Sequence, residues 1–221
     1  MRLSTIFSQM ETTELNQLSC VDTNTKKIKP DKYQGIIDVM NQGLVDLNTR
    51  FKFKINVVTV PITSDVAVYD LTKFSAEVKG TFMQLHSVKD EHGSPLSVNT
   101  FTPRGVNFRS AMIMEVPEYL RKTVDLKQVT VEYRALPRKI QDCFGEIDPE
   151  MIDVDLPPMY VWALCLYVAS RLHTPVGLQD GTYRTNAFLG LYNAECNRLD
   201  DEGFDLEEVV DNNQHRSGGW A

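Results

Sequence analysis

Most of what would announce a catalyst is missing from this sequence. It has no GxxxxGK(S/T) phosphate cradle, no GxGxxG turn after a strand, no GxSxG elbow and no HExxH helix. The local geometries by which those motifs bind phosphate, expose a serine or hold zinc are therefore not encoded. Cysteine is scarce and dispersed: Cys20, Cys143, Cys165 and Cys196 include no CxxC pair, and they read as buried free thiols in a reducing compartment. Positive charge is also short, with 23 basic against 30 acidic residues and a net charge of -7. A general attraction to a nucleic-acid backbone is not supported by that balance. The nearest basic run, Lys26, Lys27, Lys29 and Lys32, precedes a helix and reads as solvated surface. No apolar stretch is long enough to cross a bilayer, so no membrane anchor is expected. Met1-Arg2-Leu3-Ser4 runs into polar Gln9, Glu11 and Glu14 without a signal-peptide core, and synthesis in the cytoplasm is the expectation.

What is present is an ordinary folding composition. The 221 residues are 42% hydrophobic and 24% charged, enough for a full core in one large domain or one domain carrying an insertion. Pro30 sits at a first-turn position, and Tyr33, Ile36, Ile37, Met40, Leu44 and Leu47 follow at helical spacing. Ser4 to Leu18 carries a weaker pattern, read as one or two short helices. The period then changes. Phe53 to Val60 alternates and is β-branched, and further strands are expected at 66–71, 81–88, 111–116 and 128–135, with a turn over Asp90–Pro95.

From Met159 to Ala169 the chain is apolar on every side of a helix, which predicts a helix buried all round, introduced by Asp155 and a proline pair and ended near Thr174-Pro175. A last helix is expected from Thr185 to Asp200, with Phe188, Leu191, Tyr192 and Cys196 on one face and Gly203 as its stop. The fold expected is α+β: an antiparallel helical bundle from residues 1–51 and 156–203, a β-rich insertion over 52–155, and an extended C-terminal arm over 204–221.

Few side chains suggest chemistry. His86, His92, His173 and His215 have no ligand spacing and read as surface or cap residues, a nonlocal zinc site being the alternative. Glu146, Asp148, Glu150, Asp153 and Asp155 lie between prolines without the glycine placement of a calcium loop, and read as a linker. A second acidic run, Asp200 to Asp211, reads as solvated or partner-facing. Trp220, beside Gly218 and Gly219, is the unexpected residue, because a tryptophan on a glycine-bearing arm covers nothing local and can anchor in a neighbour's pocket. Gln214, His215, Arg216, Gly218, Gly219 and Trp220 are therefore the candidate partner-binding residues. No catalytic, metal-binding or cofactor-binding residue is assigned.

Two blocks of sequence carry a resemblance. The first is Leu15-Asn16-Gln17-Leu18, Val21-Asp22, Lys32-Tyr33, Ile36-Ile37, Asn41-Gln42-Gly43-Leu44-Val45-Asp46-Leu47 and Arg50-Phe51. The second is Asp155-Leu156-Pro157-Pro158, Tyr167-Val168-Ala169-Ser170-Arg171, Phe188, Tyr192 and Cys196-Asn197-Arg198-Leu199. Together they resemble the head-to-tail adaptor proteins of short-tailed phages, the group that includes tail tubular protein A. The resemblance covers about half the chain, at its two ends, and the β-rich middle is not matched.

It implies a structural virion protein and not an enzyme: a twelve-subunit ring at the head-tail junction, bound to the portal protein and to a downstream tail or nozzle protein. Duplex DNA would pass through it during genome ejection without sequence-specific binding. The alternative is a virion-associated cell-wall hydrolase using carboxylates such as Glu146 and Asp148.

Overall fold

The computed structural model describes residues 1–13, 15, 20–100, 102–140, 147–173 and 180–203, the last segment with side chains from residue 187 onward. In chain order the elements are α1 (Leu3–Thr12), α2 (Tyr33–Phe51), β1 (Ile55–Pro61), β2 (Val68–Asp70), the single turn α3 (Val78–Thr81), β3 (Phe82–Asp90), β4 (Ser97–Val98), β5 (Gly105–Ser110), β6 (Ile113–Glu115), β7 (Gln128–Ala135), α4 (Val161–Leu172) and α5 (Asp180–Asp201). The class is α+β. The chain divides into two compact units, one of Met1–Phe53 with the residues from Pro137 onward, the other of Lys54–Leu136.

The helical unit draws one core from both ends of the chain. α1 buries Leu3, Ile6, Phe7 and Met10, spaced to fall on one helical face. Its first amides would otherwise lack partners, and the strand-like segment before α4 supplies them: Leu3 N donates to Ile152 O at 2.9 Å and Ser4 N to Pro149 O at 3.1 Å. α1 ends at Thr12, well short of Leu18, where the Thr12 and Thr13 hydroxyls turn back onto Gln9 O. A 3-10 turn at Pro30–Lys32 feeds α2, which buries Ile36, Ile37, Met40, Gly43, Leu44, Leu47 and Phe51. α2 ends where Lys52 enters the left-handed region and its N–H closes on Asn48 O at 3.1 Å.

α4 starts after Pro157-Pro158 through a second 3-10 turn and is buried on nearly all sides from Val161 to Ser170. Trp162 is the departure from all-round burial, at 39% exposed. α2 and α4 approach closely at Gly43, where a Cβ would lie 2.7 Å from a Leu164 methyl and 2.8 Å from the Tyr167 ring. Any side chain there would overpack the seam. Tyr160 packs against Phe51 and Phe53, with ring centroids 5.0 and 5.2 Å away.

The β-rich unit contains a three-stranded sheet of order β1-β7-β3 and a four-stranded one of order β2-β6-β5-β4. β7 lies between antiparallel neighbours and is the best buried strand, with Val129, Val131, Tyr133 and Ala135 inward. These side chains share a core with Val58, Val60, Leu71, Val88, Val106 and Met114. Two expected boundaries move. The single strand expected over 111–116 is the second arm of a hairpin, β5 to β6, turning at Ala111-Met112. Residues 137–140 and 147–155, read on sequence with the insertion, fall in the helical unit. Ile140 and Val154 are in its core, and the N-terminal ammonium donates to Val154 O at 3.0 Å.

Candidate functional site

The candidate arm residues Gln214, His215, Arg216, Gly218, Gly219 and Trp220 lie outside the described residues. So do Glu146, Cys143 and the acidic stretch from Asp205 to Asp211. What the structure does build is a helix face held by packing and hydrogen bonds. α5 buries Tyr192, Cys196 and Leu199, with Phe188 partly covered. Leu191, expected on that face, points away and is 53% exposed, because a helix that packs along one stripe turns position 191 outward.

A polar clasp fixes α5 to α2. The Tyr192 hydroxyl donates to Asp46 Oδ2, the Arg50 Nε donates to the same oxygen at 3.1 Å, and the Arg50 guanidinium lies 5.1 Å from the centroid of the Tyr192 ring. One carboxylate oxygen thus takes two donors, and the cation also faces an aromatic ring. Burial, reinforced by the hydrogen bond to Asp46, pushes the Tyr192 phenol well above its usual range. The Tyr167 ring meets Tyr192 edge-on at 5.4 Å. Beyond this clasp, α5 presents Ala187, Leu189, Gly190, Leu191 and Ala194 to solvent, with Leu189 at 42% exposure.

Two of the carboxylates between β7 and α4 serve the chain around them. Asp148 Oδ1 accepts from Glu150 N at 3.0 Å, and Asp153 lies 3.5 Å from the Arg2 guanidinium. Among the described residues no group of His, Cys, Asp or Glu is clustered to hold a metal ion. Of the histidines, His92 is exposed and His86 half-buried. His173 is the C-cap of α4, as expected, its N–H donating to Ala169 O at 3.0 Å, but its ring is buried instead of exposed and stacks on Phe188 at 4.7 Å, within the α4–α5 packing. Cys165 and Cys196 are buried free thiols, as read from the sequence, whereas Cys20 is only half-covered. The lysine run wraps a tight hairpin in which Asp22 Oδ1 accepts from Asn24 N and Thr25 N at 2.8 and 2.9 Å. Those amides hold the Asp22 carboxyl below its usual range.

One open hollow of about 510 Å³ lies in the β-rich unit, lined by Asn99, Thr100, Thr102, Pro103, Asn107, Glu115 and Pro117. Its single carboxylate, Glu115, is 2.8 Å from Arg109 Nε, which keeps it ionised. Among the described residues the lining brings hydroxyls and amides together without an aromatic platform or a nucleophile-base pair. Neither the clasp nor the hollow was legible in the sequence, since Asp46 and Tyr192 are 146 residues apart. No helix among the described residues is long and apolar enough to cross a membrane. Compared with known proteins, the chain matches no family model and no curated protein.

Proposed function

We propose that the protein is a ring-forming structural adaptor at the head-to-tail junction of a phage virion, made in the host cytoplasm and placed between portal and tail around the DNA exit channel. In this reading helices from the two ends of the chain form an antiparallel bundle that is the body of a twelve-subunit ring. The β-rich unit meets the next tail component or a neighbouring subunit, and the extended C-terminal arm, with Gln214, His215, Arg216, Gly218, Gly219 and Trp220, reaches toward the portal.

The observation that carries the reading is the outer face of α5. A ring needs heterologous contacts, in which one rigid surface meets a different surface on the next copy. α5 offers such a surface: it is clasped to α2 through Tyr192, Asp46 and Arg50, yet leaves Leu189 and Leu191 in solvent. The residues of the resemblance lie in the same elements, with Asn41–Leu47 in α2, Asp155–Pro158 leading into α4 and Cys196–Leu199 in α5. The net charge of -7 suits a channel through which DNA slides without being gripped.

The test is the mass of the full chain alone and mixed with the portal protein of its virion, followed by imaging of the product. A ring on the channel axis is expected with portal present. Leu191→Glu is expected to abolish the ring while leaving the circular dichroism spectrum unchanged, and deletion of residues 212–221 to abolish portal joining. Absence of a ring with portal present refutes the placement.

A further inference from the structure

The three-stranded sheet treats its two edges differently. Along β3 the outer edge is occupied or disrupted. Leu96 N donates to Val88 O at 2.8 Å and Asp90 N to Ser94 O at 2.9 Å, and the register with β7 slips at Phe82/Gln84 and again at Leu85/Ser87. Bulges and a covering loop are the ordinary means of stopping an edge from pairing. β1 has neither. Its seven residues run in unbroken register with β7, none of them is charged, and Val57 is 56% exposed.

Two bonds at its ends fix which way its backbone points. Ala135 N donates to Lys54 O at 2.9 Å and Ile62 N to Lys127 O at 2.8 Å. With Ile55 opposite Arg134 and Pro61 opposite Gln128, the even-numbered residues of β1 are the ones that exchange hydrogen bonds with β7. Ile55, Val57 and Thr59 therefore turn N–H and C=O outward, and among the described residues nothing bonds to them. Pro61 is the next outward position and has no N–H to offer.

We propose that this edge pairs with the same edge of a second copy, antiparallel about a two-fold axis at Val57, so that the two three-stranded sheets become one continuous sheet. In that register Ile55 faces the other copy's Thr59 and Val57 faces its own counterpart, so every outward donor and acceptor from Ile55 to Thr59 finds a partner. The strand is self-complementary in charge, having none. Lys54 falls opposite the other copy's Val60, which keeps the lysines of the two copies at opposite ends of the ladder. Pro61 falls opposite Phe53, outside the bonded stretch. The two Val57 side chains meet across the axis and cover each other's exposed surface. A two-fold contact cannot close a ring of heterologous contacts. The pair is therefore a form of the free protein, and the inference is independent of the adaptor reading.

Sedimentation equilibrium of the full chain across the micromolar range tests it, with Val57→Pro and Thr59→Pro. Proline at an outward position removes a donor that the sheet itself does not use, as Pro61 already does, so the β1–β7 ladder is kept. Wild type is expected to rise toward twice the chain mass of 25.1 kDa. Because the axis repeats each substitution in both copies, association of either proline variant should weaken by about tenfold or more, with the circular dichroism spectrum unchanged.

Val57→Cys decides the matter should a proline variant unfold. Its thiols would meet across the axis at a spacing a disulfide can bridge, so mild oxidation should give a covalent dimer, whereas wild type and Val66→Cys, exposed but off the strand, should not. A wild type that stays at single-chain mass overturns the proposal, as do folded proline variants that associate like wild type, or a Val57→Cys chain that cross-links no faster than Val66→Cys.

Discussion

Replacing Tyr192 by Phe removes one hydroxyl from the clasp between α5 and α2 and changes little else, because the ring stays buried against Tyr167. The hydroxyl donates to Asp46, a carboxylate whose side chain is 39% exposed and which keeps its bond from Arg50 at 3.1 Å. A hydrogen bond to a charged partner contributes about 1.5–3 kcal/mol, and solvent access together with the remaining Arg50 contact lowers this to about 1–2 kcal/mol. In a chain of this size that corresponds to a fall of about 2–8 °C in the helical unit's melting temperature.

The pH dependence is the sharper test. The Tyr192 phenol is raised above its ordinary value of 10.0 by burial first and by its bond to Asp46 second. A group raised in the folded state contributes its full stabilisation below the unfolded pKa and loses it as pH climbs toward the folded one. The advantage of wild type over Tyr192→Phe should therefore be constant up to about pH 9 and shrink above pH 10, at a slope approaching 1.4 kcal/mol per pH unit. Paired urea titrations monitored by circular dichroism measure it. An advantage that stays flat through pH 11, or the absence of any advantage at pH 7, would refute the clasp as described.

Two further outcomes follow from contacts on either side of the fold. Asn41 pins the segment after β7, with Oδ1 accepting from Ile140 N at 2.8 Å and Nδ2 donating to Ile140 O at 3.2 Å. Asn41→Ala should cost about 1–3 kcal/mol in urea unfolding, by leaving that backbone unpaired, and a cost near zero would show that water replaces the amide. In the β-rich unit, burial alone would raise the Glu132 carboxyl, but hydrogen bonds from Lys89 at 2.6 Å and Ser87 at 2.5 Å outweigh it and hold it below the usual range. A depressed carboxylate stabilises above its unfolded pKa and stops doing so as pH falls through the folded one. Glu132→Gln should therefore be less stable than wild type at pH 7, by up to about 1 kcal/mol given the solvent access of the pair, and equal to it in acid below both values. A difference that survives at low pH would mean packing, and not charge, is responsible.

The amino-acid sequence by itself determined which segments are helical and which extended, wherever one face of an element is apolar over several turns or pleats. α2, α4, β1, β3 and β7 are legible for that reason, since hydrophobic period is a local property and burial rewards it directly. Short elements were not legible. β4 and the π-helical turn at Tyr119–Thr123 have too few residues for a period, and β5 carries polar Asn107 and Arg109 where its hairpin is half-exposed.

Only the tertiary structure decided the rest. It turned Leu191 outward and Leu199 inward, because the stripe α5 buries depends on what α2 and α4 present to it. It moved residues 147–155 into the helical unit by giving the amides at the start of α1 carbonyl partners distant in sequence. It joined Asp46 to Tyr192 across 146 residues. And it set the outer residues of β1 at the edge of a sheet, their amides and carbonyls unpaired among the described residues, since which strand lies at an edge follows from strand order and not from the composition of any strand.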